Sequence, residues 1–156
     1  MDEFRTSPPY DLSSLEAAGW EAFEEESFIG LIGPILFKDV SGELVLGFAA
    51  DRKHSNLSGQ VHGGMLATFA DRAMGATIRK MHPDMSIATV QLGIHFVAPV
   101  DIGQFVSARC ERIRVTRSLA FMRCTLLADE AITATAESIL KLSPAKTSSI
   151  RNEETK

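Results

Sequence analysis

The spacing of apolar residues changes at Pro83. Before it, "GGMLATFADRAMGATIRKM", residues 63–81, is apolar around most of a helix with about 100° per residue. After it, "IATVQLGIHFVAP" alternates, with Val90, Leu92, Ile94 and Phe96 on one side and Gln91, Gly93 and His95 on the other. Three further strand regions follow: "QFVSARCERIRV", "LAFMRCTLLAD" and "AITATAESILKL". In the last, Ile132, Ala134, Ala136, Ser138 and Leu140 share a face. Short turns between these four predict an antiparallel meander. Upstream, residues 35–39 and 43–50 flank a turn signal and predict a hairpin. Residues 12–26 read as a short helix capped by Ser13 or Ser14, and residues 51–61 as a polar loop. The sum is an α+β architecture, an antiparallel β-sheet with one long apolar helix against a face.

The long helix carries one residue that its apolar pattern does not need. Arg72 and Arg79 share a stripe and mark the wet side, while Leu66, Ala70, Ala73, Met74, Thr77 and Met81 lie mostly opposite. So little of the helix is polar that a sheet wrapped around it is expected. Asp71 belongs to another stripe, with Gly64, Ala67, Gly75 and Ile78. Small neighbours let another backbone approach. No lysine or arginine stands three or four residues away to pair with Asp71. The ordinary reading is a solvated carboxylate; the functional one is a site.

The start of the helix is the second candidate. Helix N-termini expose unpaired N–H groups with partial positive charge. Gly63 and Gly64 lack a Cβ, so a ligand oxygen can come close to those N–H groups, as a developing oxyanion requires. A tight loop-to-helix connection would also select "HGG". Gly63 and Asp71 are eight residues apart, about 12 Å along a helix. That exceeds hydrogen-bond reach of one reacting group. The two cooperate only if two such helices lie antiparallel across a two-fold axis, Gly63 of one subunit facing Asp71 of the other.

Composition narrows the classes. The chain has 156 residues, 45% hydrophobic and 23% charged, which fits one domain with a real core. That domain is expected over residues 1–142, with residues 1–11 loose and 143–156 a polar tail. A net charge of -4 gives no reason to expect nucleic acid or an anionic membrane as partner. No apolar run reaches the roughly 20 residues of a membrane span, and the acidic N-terminus does not read as a secretory signal. Two cysteines make no disulfide scaffold, so a reducing cytoplasm is the expected location. Cys110 and Cys124 fall in successive strands, roughly opposite each other, and read as packed small hydrophobes. The four histidines are scattered, and no His/Cys/Asp cluster has zinc-ligand spacing; the chemistry considered for Asp71 and Gly63 needs neither metal nor organic cofactor.

The pattern N-x-x-G-x-V-H-G-G-M-L-x-T-x-x-D, Asn56 to Asp71, resembles the hotdog-fold thioesterases of the phenylacetate-pathway (PaaI-like) type. "GLIGPI" looks like that family's first strand and "ATVQLGIHFVAPVDIG" like the strand after its helix. The match spans roughly residues 20–142. The resemblance implies a curved antiparallel sheet around the long helix, and a dimer with shared active sites, usually paired into a homotetramer. It implies acyl-coenzyme A thioester hydrolysis. In that reading the Gly63 N–H polarises the carbonyl, and His62 and Asn56 shape that end of the site. Asp71 of the other subunit is general base or nucleophile, and Thr89 helps to hold the water. Plain roles exist beside these: Asn56 as a turn residue, His62 as a helix-start hydrogen bonder, Thr89 as a strand residue. Arg117 falls in a loop that often lies near the coenzyme A phosphates, but the glycine common there is absent, as is the one in "ADEAI". The main alternative is a non-catalytic acyl-CoA binder. A hotdog hydratase uses a differently spaced Asp/His motif, and a purely structural oligomer would leave the Asp71 stripe unexplained.

Overall fold

A computed structural model describes residues 10–145. At its centre is α3, Gly63–Met81, the span predicted from the apolar period. It ends at His82, since Pro83 cannot continue a helix. Phe69, Ala70, Ala73, Met74 and Ile78 of this helix are fully buried.

Seven strands surround it: β1 (Glu21–Ala22), β2 (Leu36–Val40), β3 (Glu43–Ala49), β4 (Met85–Phe96), β5 (Phe105–Val115), β6 (Leu119–Ala128) and β7 (Ala131–Pro144). They form one antiparallel sheet in the order β1-β2-β3-β5-β6-β7-β4. α3 touches β3 through β7, so the sheet curls around the helix as a hotdog fold does. The predicted hairpin is β2–β3.

Several expectations are corrected. The last four strands are not a simple meander: β4 crosses to the far edge and pairs with β7, not β5. Residues 97–104 carry that crossing, held by Val61 N–H to Val100 O (2.8 Å) and Ala50 N–H to Gln104 O (2.8 Å). The first helix stops early. α1 is Leu12–Ala17, because Gly19 turns to φ +86 and the chain then enters β1. Its cap is Asp11, which accepts from Ser14 N–H at 2.6 Å, rather than Ser13 or Ser14. "GLIGPI" is not the first strand. Phe28–Ile32 forms a short helix, α2, and β2 begins only at Leu36. Gly30 presses on the Glu25 carbonyl, where a Cβ would overlap it, so the segment is folded back on itself. The polar tail cannot start at 143, since β7 continues to Pro144; residues 1–9 and 146–156 lie outside the described residues.

Two irregularities change which residues face inward. In β4 the register slips between Thr89 and Gln91, leaving Val90 out of the ladder. Ile87 and Leu92, five residues apart, therefore both pack on the core, while Val90 is 61% exposed. Phe96 also lies half in solvent. In β7 a similar slip leaves out Thr133, which donates to Ala98 O at 2.6 Å, and Ile132 leaves the buried face. The turn "ADEAI" works without glycine: Asp129 and Glu130 take φ 44 and φ 75, and the Asp129 carboxylate holds the Phe105 N–H.

Candidate active site

The helix start is built by its own sequence. His62 is the N-cap, and its Nδ1 accepts from Gly64 N–H at 2.8 Å. The ring proton must then sit on Nε2. A Cβ at Gly64 would lie 2.9 Å from that Nδ1, so glycine is what admits the capping ring. A Cβ at Gly63 would lie 3.0 Å from the Phe96 ring, which roofs the helix start. The Gly64 N–H, a sequence candidate for substrate binding, is thus occupied. Gly63 N–H has no partner among the described residues.

Asn56 shapes the loop below. Its Oδ1 accepts from Ser58 N–H (2.8 Å) and Gln60 N–H (3.2 Å), an Asx turn that leaves the amide NH₂ available. The turn and the helix start are joined through His54, a residue that no motif in the sequence marks out. His54 is 5% exposed. Its Nδ1 accepts from Asp51 N–H at 2.9 Å, its Nε2 bonds Ile32 O at 2.7 Å, and its own carbonyl accepts from His62 N–H at 2.7 Å. One side chain pins α2 to the loop before α3. Burial pushes its pKa below the usual histidine value, so the ring is held neutral.

Two turns along α3, Thr89 Oγ1 donates to Asp71 Oδ1 at 2.6 Å. The bulge after Thr89 keeps this hydroxyl on the helix side while Leu92 also faces inward. Asp71 has no ion-pair partner among the described residues. A Cβ at Gly75, next in its stripe, would meet nothing within 4 Å, so the helix surface beside the carboxylate is open.

Asp71 and Thr89 line a cleft of about 500 Å³ together with Phe28, Ile29, Ala67 and Leu92. Glu25 and Arg72 close one side. Arg72 does not face water as its stripe predicts. It pairs with Glu25 at 2.9 Å, lies over the Phe23 ring at 4.7 Å, and is 14% exposed along its side chain. The acidic run that reads as the end of a helix supplies this clamp instead. Arg117 sits in the β5–β6 turn and is not among the residues of the cleft. There the Thr116 hydroxyl accepts from Leu119 N–H at 3.0 Å, and none of Thr116, Arg117 and Ser118 takes a positive φ, so the turn forms without glycine.

The structure therefore brings Asp71 and Thr89 together, and His62 with Gly63 and Gly64, as two separate clusters on one helix. The sequence model of the Thioesterase superfamily matches residues 58–135, which hold both clusters and make up half of the chain. The chain belongs to this superfamily. A Pseudomonas aeruginosa relative, "Putative esterase PA0474", is 28% identical over 122 residues, 77% of this chain and 91% of its own. Among solved structures of the superfamily's fold, a phenylacetic acid degradation-related protein of Ralstonia eutropha superposes with TM-score 0.66 at 23% identity, over 74% of this chain and 92% of its own. The BH2602 protein of Bacillus halodurans, solved with coenzyme A, gives TM-score 0.65 at 22% identity, over 70% and 74%. At these identities the two structures establish the shared fold. Among the described residues no cluster of three or more His, Cys, Asp or Glu could hold a metal ion, and no helix is long and apolar enough to cross a membrane.

Proposed function

We propose that this thioesterase-superfamily protein hydrolyses an acyl-coenzyme A thioester to a free acid and coenzyme A, in sites shared across a homodimer. The observation that carries the reading is the pairing of a Gly63 N–H that has no partner among the described residues with an Asp71 about 12 Å further along the same helix, held there by Thr89 of β4. Separated so, they cannot meet on one carbonyl within a chain. β4 offers the way to join them. It is the sheet's edge, bonded to β7 alone, and its twelve residues carry no lysine, arginine or acid. An uncharged edge of that length is a template for pairing with another strand. Antiparallel pairing of two β4 strands across a two-fold axis sets the two α3 helices side by side and puts Gly63 against Asp71 of the partner subunit. Pairing of two such dimers into a homotetramer follows the family resemblance.

The chemistry follows. The thioester carbonyl accepts from Gly63 N–H at the positive end of the helix. The Asp71 carboxylate, held by Thr89, takes a proton from water as it attacks. The tetrahedral intermediate expels the coenzyme A thiolate, which regains the proton from Asp71. If the carboxylate attacks directly, an anhydride forms and water resolves it. The cleft beside Asp71, walled by Phe28, Ile29 and Leu92, suits an apolar acyl group. A coenzyme A complex of a protein with the same fold supports the thiol half of the substrate.

Thiol release from a panel of acyl-CoA substrates tests this. Wild-type turnover with a loss of about 100-fold or more in Asp71→Asn is expected. Equal rates would remove Asp71 from the chemistry. A folded dimer with no turnover on any substrate would favour the second reading, an acyl-CoA-binding protein without catalysis.

A further inference from the structure

A second cavity, of about 560 Å³, lies away from the Asp71 cleft. β3 and β5 pair only where residues 46–49 meet residues 105–108. Upstream, residues 43–45 part from β5, and the gap opens over Thr77 and Met81 of α3. Cys110 stands on its wall, half-buried, and Cys124 lies directly opposite in β6 at 0% exposure. Both thiols are free.

The kind of cross-strand pair can be worked out. Asp129 N–H bonds Phe105 O at 3.0 Å at one end of the β5–β6 ladder, and Thr116 N–H bonds Leu119 O at 2.8 Å at the other. Hydrogen-bonded and non-hydrogen-bonded pairs alternate between. Counting in from either end, through the slip between Arg112 and Arg114, places Cys110 and Cys124 at a non-hydrogen-bonded pair. There the Cα atoms are about 4.5 Å apart and side chains are closest. A disulfide needs about 4.4–6.8 Å. The backbone is already at bridging distance.

The cavity gives a reagent access to the pair: Cys110 is in its lining, and the charges around it balance, with Lys80 paired to Asp39, Arg109 to Glu130 and Arg123 to Glu111. We propose that Cys110 and Cys124 are a reactive thiol pair that small disulfides oxidise through this cavity. The Cys110 thiolate bonds to one sulfur of the reagent, whose S–S bond breaks and releases a thiolate. The Cys124 thiol gives its proton to that thiolate and attacks the Cys110 sulfur, releasing the second thiol. Two protein thiols are oxidised and one small disulfide is reduced. The order is set by access: Cys110 lines the cavity while Cys124 is fully buried behind it, and a hydrogen bond from Cys124 favours the Cys110 thiolate.

The test takes the reduced, folded chain with oxidised glutathione, or with neutral 2-hydroxyethyl disulfide at equal concentration, and reads intact mass and peptide maps. Wild type is expected to lose two hydrogens and keep no adduct. Cys124→Ala should hold one glutathione on Cys110, and Cys110→Ala should not react. Wild type whose thiols both stay free under oxidised glutathione would overturn the pair, whatever the variants' stability. Modification of Cys124 in Cys110→Ala would overturn the order of attack.

Discussion

The two edges of the sheet are opposites. β1 is two residues long, Glu21 and Ala22, and the acidic run Glu24, Glu25 and Glu26 follows it at once. β4 is twelve residues long and uncharged, with Val90 and Phe96 more than half exposed and Val97 just beyond. A short, charged edge is how a sheet refuses further strands; a long apolar one invites them. The candidate hydrolytic residues follow the same division. Asp71, Thr89 and the Phe96-roofed start of α3 all lie by β4, whereas neither β1 residue joins either cluster, and Trp20 beside β1 packs against Phe105 with ring centroids 4.9 Å apart. Under the proposed dimer, one edge serves assembly and the other ends the sheet.

The largest effect should come from charging the inviting edge. Val90→Lys would put like charges near each other in the paired dimer. Analytical ultracentrifugation should show a smaller species, and turnover should fall by about 100-fold or more as Gly63 and Asp71 separate. Glu21→Lys at the other edge should change neither. If Val90→Lys keeps both assembly and rate, β4 is not the dimer strand. Next comes the couple itself. Thr89→Ala removes a hydrogen bond to a carboxylate, expected to cost about 1.5–3 kcal/mol where the charge is in play, or roughly 10- to 100-fold in kcat. Thr89→Ser should recover most of it, with assembly unchanged in both.

The smallest effect is thermodynamic and belongs to the α2 side. His54 is buried neutral, so the unfolded chain binds a proton that the folded chain refuses as pH drops below about 6.5. Stability should therefore decline as pH falls from about 7 toward His54's lowered folded pKa, as melting temperature across that range would show. His54→Gln should start lower and flatten this slope. Asp39 and Asp11, both with lowered carboxyl pKa values, act only in a more acid window: their stabilisation is present above the usual carboxylate range and is lost below it.

Much of this was legible in the chain. α3 was, because nineteen residues of apolar period leave no strand alternative. The β2–β3 hairpin was, through its turn. The strand order was not: a strand pattern says nothing about which neighbour it takes, and only the 97–104 crossing sends β4 to the far edge. Face assignments failed at Val90 and Ile132, where one extra residue resets a period of two. At the candidate site, Asp71 and Gly63 stand out by type and spacing, and Thr89 through the family resemblance alone; the structure joins Thr89 to Asp71. Arg72's burial was not legible, because its partner Glu25 is 47 residues away. Nor was His54, whose role depends on α2 folding back to offer the Ile32 carbonyl.

The Arg72–Glu25 clamp has an evolutionary corollary. Residues 23–32 form one wall of the cleft, held to α3 by the Glu25–Arg72 ion pair and the Phe23 ring, and to the loop before α3 by the His54–Ile32 bond. Drift in that segment can widen, shorten or polarise the chamber without a single change in the helix that holds the carboxylate. Chimeras that exchange residues 23–32 between members of the superfamily would then transplant acyl preference while leaving the reaction intact.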